Sequence, residues 1–260
     1  MDMNYLEKAN LWKKNPNLEP TLKEELEAMD DQALQEAFTT DLEFGTAGLR
    51  GVLGAGTNRM NIYIVAKATL GFERYLSNFE NAFKRGVAIA HDNRHQSKEF
   101  ARISAEVLAT LGFHVYLFEE LRPTPELSFA VRHFGCVGGI MITASHNPKE
   151  YNGYKIYDES GCQCLPAAAD QVIKEINQIE DYFSIDHSKN HDRIEYIGKE
   201  VDEVYIREVK KIILRPNLKK NLKFVYTPLH GTGQVFAADV LKSVGYDVYP
   251  LACQMTNDPD

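Results

Sequence analysis

The chain is poor in cysteine and tryptophan, carries no excess of positive charge and contains no long apolar run. Its four cysteines (Cys136, Cys162, Cys164 and Cys253) are too sparse in 260 residues for a disulfide framework. Cys162 and Cys164 stand one residue apart without a matching His or Cys pair, which argues against a zinc site. Reduced thiols are the expectation. A formal charge of −8 lacks the basic face that a nonspecific nucleic-acid binder needs to neutralise phosphates. A small phosphorylated ligand is still compatible with that balance if a few cations converge in one cleft. No stretch is long and apolar enough to span a bilayer, and residues 1–20, MDMNYLEKANLWKKNPNLEP, lack the apolar centre of a secretory signal. A cytoplasmic protein without nucleic-acid or membrane partners is expected.

What is present is the composition of a folded domain, 44% hydrophobic and 25% charged, with length enough for one large domain or two smaller ones. Residues 3–40 read as helical. Leu6, Ala9, Leu11 and Trp12 are expected to form one patch, and Leu22, Leu26 and Met29 recur at helical spacing after Pro20. Asp30 or Asp31 would cap a further helix through Leu34, Ala37 and Phe38.

After Gly71 strands and helices alternate. The apolar run Gly86–Ala90 ends at His91-Asp92-Asn93-Arg94. Ser97 is expected to cap a helix with Phe100, Ile103, Val107 and Leu108 on one face. Val115–Phe118 and Val137–Thr143 read as strands separated by a helix opening at Pro125 and ending near Gly135. Helices are expected near 167–179 and 201–214. From Leu222 the pattern restarts as strand, the loop Thr227-Pro228-Leu229-His230-Gly231-Thr232-Gly233, helix, and strand Tyr246–Pro250. The fold class is α/β: a mixed, mainly parallel doubly wound sheet with flanking helices, a helical N-terminal preface and an incomplete second α/β domain. Ligands in such sheets sit beyond the strand C-terminal ends, where both His91-Asp92-Asn93-Arg94 and Ser145-His146-Asn147-Pro148 fall.

The stretch with most chemical content is Ile142-Thr143-Ala144-Ser145-His146-Asn147-Pro148. A serine displayed at a strand end, with Lys155 ten residues on, suits a covalent phosphoryl or acyl carrier. The spaced glycines of a G-x-S-x-G nucleophile elbow are absent around Ser145. Adjacent side chains seldom bring an imidazole in line with the neighbouring hydroxyl, so a hydrolase dyad has little support.

Four segments occur in fixed order: Phe44-Gly45-Thr46-Ala47-Gly48-Leu49-Arg50-Gly51, Thr143 to Pro148, Asn152-Gly153-Tyr154-Lys155 and His230-Gly231-Thr232-Gly233. Together they resemble the α-D-phosphohexomutase superfamily, most closely its phosphoglucomutase branch. The resemblance implies an N-terminal extension (1–40), a first domain carrying the phosphoserine loop (41–205) and the beginning of a second domain (206–260). It implies interconversion of glucose 1-phosphate and glucose 6-phosphate through phosphorylated Ser145 and a bisphosphate intermediate, with a pentose, amino-sugar or other hexose phosphate as the alternative substrate. Arg50 would steady the phosphate, Lys155 would act as general acid/base, and His146 would polarise or position the reacting hydroxyl. Thr46, Asn147 and His230 would contact the substrate. The family's Mg²⁺ would be held partly through the Ser145 phosphate, and glucose 1,6-bisphosphate would serve as activator. The aspartate loop D-G-D-x-D-R that completes the metal site has no counterpart here. The chain is therefore expected to be part of a longer mutase and inactive alone. A noncatalytic phosphosugar-binding role and a serine hydrolase are the competing readings.

Overall fold

The computed structural model describes residues 3–45 and 48–260, so the expectation for Thr46 lies outside the described residues. The chain opens with three helices, α1 (Tyr5–Lys14), α2 (Pro20–Ala28) and α3 (Asp31–Phe38). A capping box starts α1: Asn4 accepts from the Glu7 amide and the Glu7 carboxylate accepts from the Asn4 amide. Asp30 caps α3 through the Ala33 amide. The buried stripe of α1 differs from the expected patch. Ala9 and Trp12 are buried, whereas Leu6 and Leu11 are 44% and 52% exposed. The stripe runs Tyr5, Ala9, Trp12, at i, i+4 and i+7, and the leucines flank it. Trp12 packs edge-on against Phe38, Tyr63 and Phe183, which ties the preface to the rest of the molecule.

The main unit then runs β1 (Leu49–Val52), α4 (Ile62–Leu76), α5 (Ala82–Arg85), β2 (Val87–His91), α6 (Ser97–Thr110), β3 (Val115–Phe118), α7 (Thr124–Phe134), β4 (Gly138–Ile142), β5 (Tyr151–Asp158), α8 (Pro166–Asn177) and β6 (Ile194–Ile197). Its sheet has the order β1-β5-β4-β2-β3-β6. Strands β4, β2, β3 and β6 are parallel, and β5 and β1 are antiparallel additions at one edge. The sheet is mixed and mainly parallel, as expected. Every residue of β2 and β4 is buried, the pattern of strands covered on both faces. One face packs on Phe72, Phe100, Leu108 and Val172, and the other on Leu127, Val131 and Val201.

Helix α4 and strands β1 and β6 are among the elements the sequence pattern does not mark. Helix α4 straddles Gly71, where the sequence pattern divides; a Cβ there would meet Ile176 of α8, its backbone nitrogen at 3.0 Å, so the glycine sets close helix packing. Strand β1 lies in the glycine-rich segment, where no apolar run marks a strand. Strand β6 ends a polar stretch and adds to the far edge beside β3. Ser97 also behaves differently from expectation: Gln96, at φ 61°, is the N-cap of α6 without a side-chain bond, and Ser97 opens the helix with its hydroxyl turned to Asp92.

Helix α9 (Lys199–Lys211) leads to β7 (Lys223–Tyr226), α10 (Ala237–Ser243) and β8 (Asp247–Pro250). Strands β7 and β8 form a separate parallel pair.

Candidate active site

The serine loop leaves the C-terminal end of β4, the central strand between β2 and β5. Ser145 is exposed and adopts φ 61°, the left-handed region that costs a non-glycine residue about 1–2 kcal/mol. Such a conformation persists only where its surroundings over-determine it. Thr143 Oγ1 accepts the Ser145 amide at 2.9 Å. The Arg94 guanidinium donates to the carbonyl oxygens of Ser145 (2.9 Å), Asn147 (2.6 Å), Pro148 (2.8 Å) and Tyr151 (3.0 Å). One planar fork thus gathers the whole turn, and bonds from a charged donor are the stronger class.

Arg94 is itself fixed from β2. Asp92 pairs with its guanidinium at 3.3 Å and accepts its backbone amide at 3.0 Å. The same carboxylate accepts from Ser97 Oγ at 2.6 Å, and Asn152 Nδ2 donates to that Oγ and to the His95 carbonyl, both at 2.9 Å. Strand β2, helix α6 and strand β5 are therefore joined behind the serine loop by Asp92, Ser97 and Asn152. From the sequence Asp92 and Arg94 are known only to fall at a strand end, Ser97 reads as a cap, and Asn152 has no stated role. The available signal is position alone: polar residues clustered at the end of an apolar strand.

The two cations come from the antiparallel edge. Arg50 lies on β1 opposite Gly153 of β5. Lys155 lies in mid-strand opposite Met141 of β4 and is half-buried. Strand alternation puts Arg50, Gly153 and Lys155 on one face of the β1–β5 pair. Gly153 permits this closeness, since a Cβ would sit 2.6 Å from the Thr143 carbonyl oxygen and 2.9 Å from that of Leu49. Burial, then the Arg50 charge, pull the Lys155 ammonium below the usual lysine range, against a weaker opposite pull from Asp92. Arg50 donates to Asn147 Oδ1 at 3.2 Å, so Asn147 joins the serine loop to β1. His146 Nδ1 lies 3.3 Å from Ser145 Oγ.

His230 is held at the rim. Its carbonyl accepts from Asn93 Nδ2 at 2.8 Å, and its ring Nδ1 lies 3.0 Å from the Thr256 carbonyl oxygen. The structure therefore brings Arg50, Ser145, His146, Asn147 and Lys155 into one cluster and joins His230 to it through Asn93. Among the described residues no group of three or more His, Cys, Asp or Glu is arranged to hold a metal ion. Asp92, the carboxylate behind the serine loop, is engaged by Arg94 and Ser97. The described residues would leave Mg²⁺ with a single ligand at Ser145, far short of the coordination it requires.

The chain thus holds a three-layer α/β domain that presents a serine at positive φ on a loop near a lysine and an arginine. Residues 41–183 match the family described as phosphoglucomutase/phosphomannomutase, alpha/beta/alpha domain I, and the chain belongs to that family. Phosphoglucomutase of Staphylococcus saprophyticus is 39% identical over 241 residues, covering 91% of this chain and 43% of that protein. Phosphoglucomutase of Staphylococcus aureus MRSA252 is 39% identical over 255 residues, covering 96% of this chain and 45% of that one. The chain thus spans under half the length of these curated relatives. Among solved structures, a Thermus thermophilus protein provisionally assigned as a phosphomannomutase is 26% identical, with a TM-score of 0.68 over 85% of this chain and 47% of its own. A phosphoglucomutase/phosphomannomutase family protein from Burkholderia thailandensis, at 20% identity and TM-score 0.62 over 83% of this chain and 44% of its own, shares the fold.

Proposed function

We propose that Ser145 carries a phosphoryl group and that the protein containing this chain is a phosphosugar mutase, interconverting glucose 1-phosphate and glucose 6-phosphate. The observation that carries this reading is the convergence of Arg50 and Lys155, on one strand face, with a serine held in the left-handed conformation. A phosphoserine brings about −1.5 to −2 charge at pH 7, and a rigid positive surface suits both it and the transferring group.

In the forward half-reaction the sugar hydroxyl attacks the phosphorus of phosphorylated Ser145. An O–P bond forms to the sugar and the Ser145 Oγ–P bond breaks. Lys155, its pKa lowered chiefly by burial, accepts the hydroxyl proton, and His146, whose Nδ1 lies 3.3 Å from Ser145 Oγ, polarises or positions the reacting hydroxyl as that Oγ departs and takes up a proton. The resulting bisphosphate reorients and returns its other phosphate to Ser145. Arg50 opposes the charge throughout, and Thr46, Asn147 and His230 contact the substrate. The described residues do not compose a site for Mg²⁺, since only Ser145, through its phosphate, would face it. Activation by glucose 1,6-bisphosphate, a cytoplasmic location and the division into an extension (1–40), a phosphoserine domain (41–205) and a second domain from 206 belong to the same proposal. The relatives' names favour glucose over other sugars.

The test is to incubate the protein with a hexose 1,6-bisphosphate and map the phosphopeptides. Phosphate on Ser145 is expected; reproducible phosphate elsewhere, with Ser145 unmodified, overturns the assignment. In an active protein containing this chain, Lys155→Met should lower turnover about 10²-fold or more, the scale of losing an acid/base group. Near-normal turnover there would leave Lys155 without its role.

A further inference from the structure

Behind the β1–β5 pair lies a pocket of about 310 Å³ that the phosphoryl-transfer reading does not use. It is walled by the segment before β1, by α4 and α8, and by Tyr182. Its apolar side is made by Phe44, Leu49, Ile64, Ile173 and Ile176. Leu49 and Phe44 are buried, so the wall is preformed.

The polar side is unevenly satisfied. Asp41 receives the Lys8 ammonium at 2.7 Å. Burial works to raise its carboxyl, but hydrogen bonds from Lys8 and Thr57 outweigh it and hold the group below the usual carboxylate range. Lys67, from α4, is the unmatched member. Among the described residues its Nζ has no hydrogen bond and no carboxylate within 4.0 Å, and it lies over the Tyr182 ring, 5.4 Å from ammonium to centroid. Burial, with the Lys8 charge adding to it, lowers its pKa against the pull of Asp41. A half-buried ammonium without hydrogen-bond acceptors is an incomplete arrangement, and an anion entering the pocket would complete it.

We propose that this pocket is a second ligand site, for a small organic acid bearing one carboxylate on an apolar body. One unmatched cation calls for one negative charge, and the nearby carboxylates of Asp41 and Glu43 disfavour a dianion such as a phosphate monoester. The volume accommodates about ten water-sized groups, which bounds the ligand to roughly that many heavy atoms. The site is wired to the serine cluster by strand geometry. Leu49 forms part of the pocket wall and its neighbour Arg50 faces the cluster. In register with Leu49 is Tyr154, which packs on Phe44 at 6.5 Å between ring centroids and precedes Lys155. An occupant pressing on Leu49 and Phe44 therefore acts on the two strands that carry both cations.

The test uses the 260-residue chain and two probes of equal shape, 3-phenylpropionate and the neutral 3-phenylpropanamide, titrated under amide NMR and calorimetry. Saturable binding of the acid is expected, with shifts at Phe44, Leu49, Lys67 and Ile173 and smaller ones at Arg50 and Gly153. The amide should bind about tenfold more weakly, the value of one charge-assisted hydrogen bond near 1.4 kcal/mol. Lys67→Met should remove that preference, and Ile176→Trp should fill the pocket and abolish binding of both. Equal affinity for acid and amide in the unmodified chain, absence of saturable binding, or acid preference retained in a folded Lys67→Met variant would each overturn the proposal. The acid–amide ratio requires no variant, so the outcome does not depend on either substitution folding, and none of these readouts depends on phosphorylation of Ser145.

Discussion

The six-stranded unit and the β7–β8 unit are written in the same grammar of strand, loop, helix, strand, yet they differ in what they bury. In the first, β2 and β4 are buried along their whole length between helices on two faces. In the second, burial falls to Ala238 and Val248, while Leu214 is 95% and Val225 78% exposed. A strand pair with one flanking helix cannot cover both faces, so most of the hydrophobic stabilisation resides in the larger unit. The residues proposed to act in phosphoryl transfer follow the same division. The serine, lysine and arginine cluster belongs to the larger, more deeply buried unit, and the smaller unit contributes His230 at the rim. Positioning a reacting group requires support from packed neighbours, and the first unit has it.

The sharpest way to break this comparison is to damage the two cores in parallel. Phe100→Ala, in the fully buried centre of the first unit, should cost about 3–5 kcal/mol, and Val248→Ala in the second about 1 kcal/mol. Amide exchange resolved by residue would report each unit separately. Equal losses, or β7 amides as protected as those of β4, would show that the smaller unit is stabilised by something other than its own burial.

A second, pH-dependent effect is expected at the joint between the units, where α7 meets α9. Arg122 holds Asp202 with bonds of 2.6 and 3.0 Å, and beside them Glu126 is fully buried with neither oxygen hydrogen-bonded among the described residues. Burial, then Asp202, push the Glu126 carboxyl up to about 9 from an ordinary value of 4.5. The folded state therefore keeps a proton that the unfolded chain releases. The stability associated with that proton is fully present below pH 4.5 and declines as pH rises toward 9, at no more than about 1.4 kcal/mol per pH unit. Glu126→Gln should flatten this decline, so that melting temperature falls less between pH 6 and 8 than in the parent chain. An unchanged pH slope would mean that Glu126 is ionised in the folded protein.

The smallest expected effect is at the rim. Asn93 Nδ2 donates to the carbonyls of His230 (2.8 Å) and Asp258 (3.0 Å), and both Lys149 and His95 meet Asp260. Asn93→Ala should cost about 0.5–1.5 kcal/mol and raise exchange in the loop around His230 while leaving β4 protected. Loosening of both units together would show that they unfold as one.

Much of this is legible from residues alone. Period and punctuation locate β2, β3, β4 and α7 closely, because parallel strands are continuous apolar runs and Gly135 marks a helix end at positive φ. Ser145, Lys155 and Arg50 stand in short segments of fixed order that the sequence displays. What sequence could not determine is support and register. The four bonds from Arg94 run to backbone carbonyls, which no side-chain pattern encodes. Arg50 reaches the cluster only because β1, a short strand in a glycine-rich stretch, pairs with β5 far along the chain. Helix α4 is hidden by Gly71, whose missing side chain makes sense only once α8 is packed against it. Local preference and hydrophobic period act over a few residues and determined the elements and the chemistry on offer. Long-range pairing and close packing decided which of those groups share a site, since they depend on surfaces that exist only once the chain has folded.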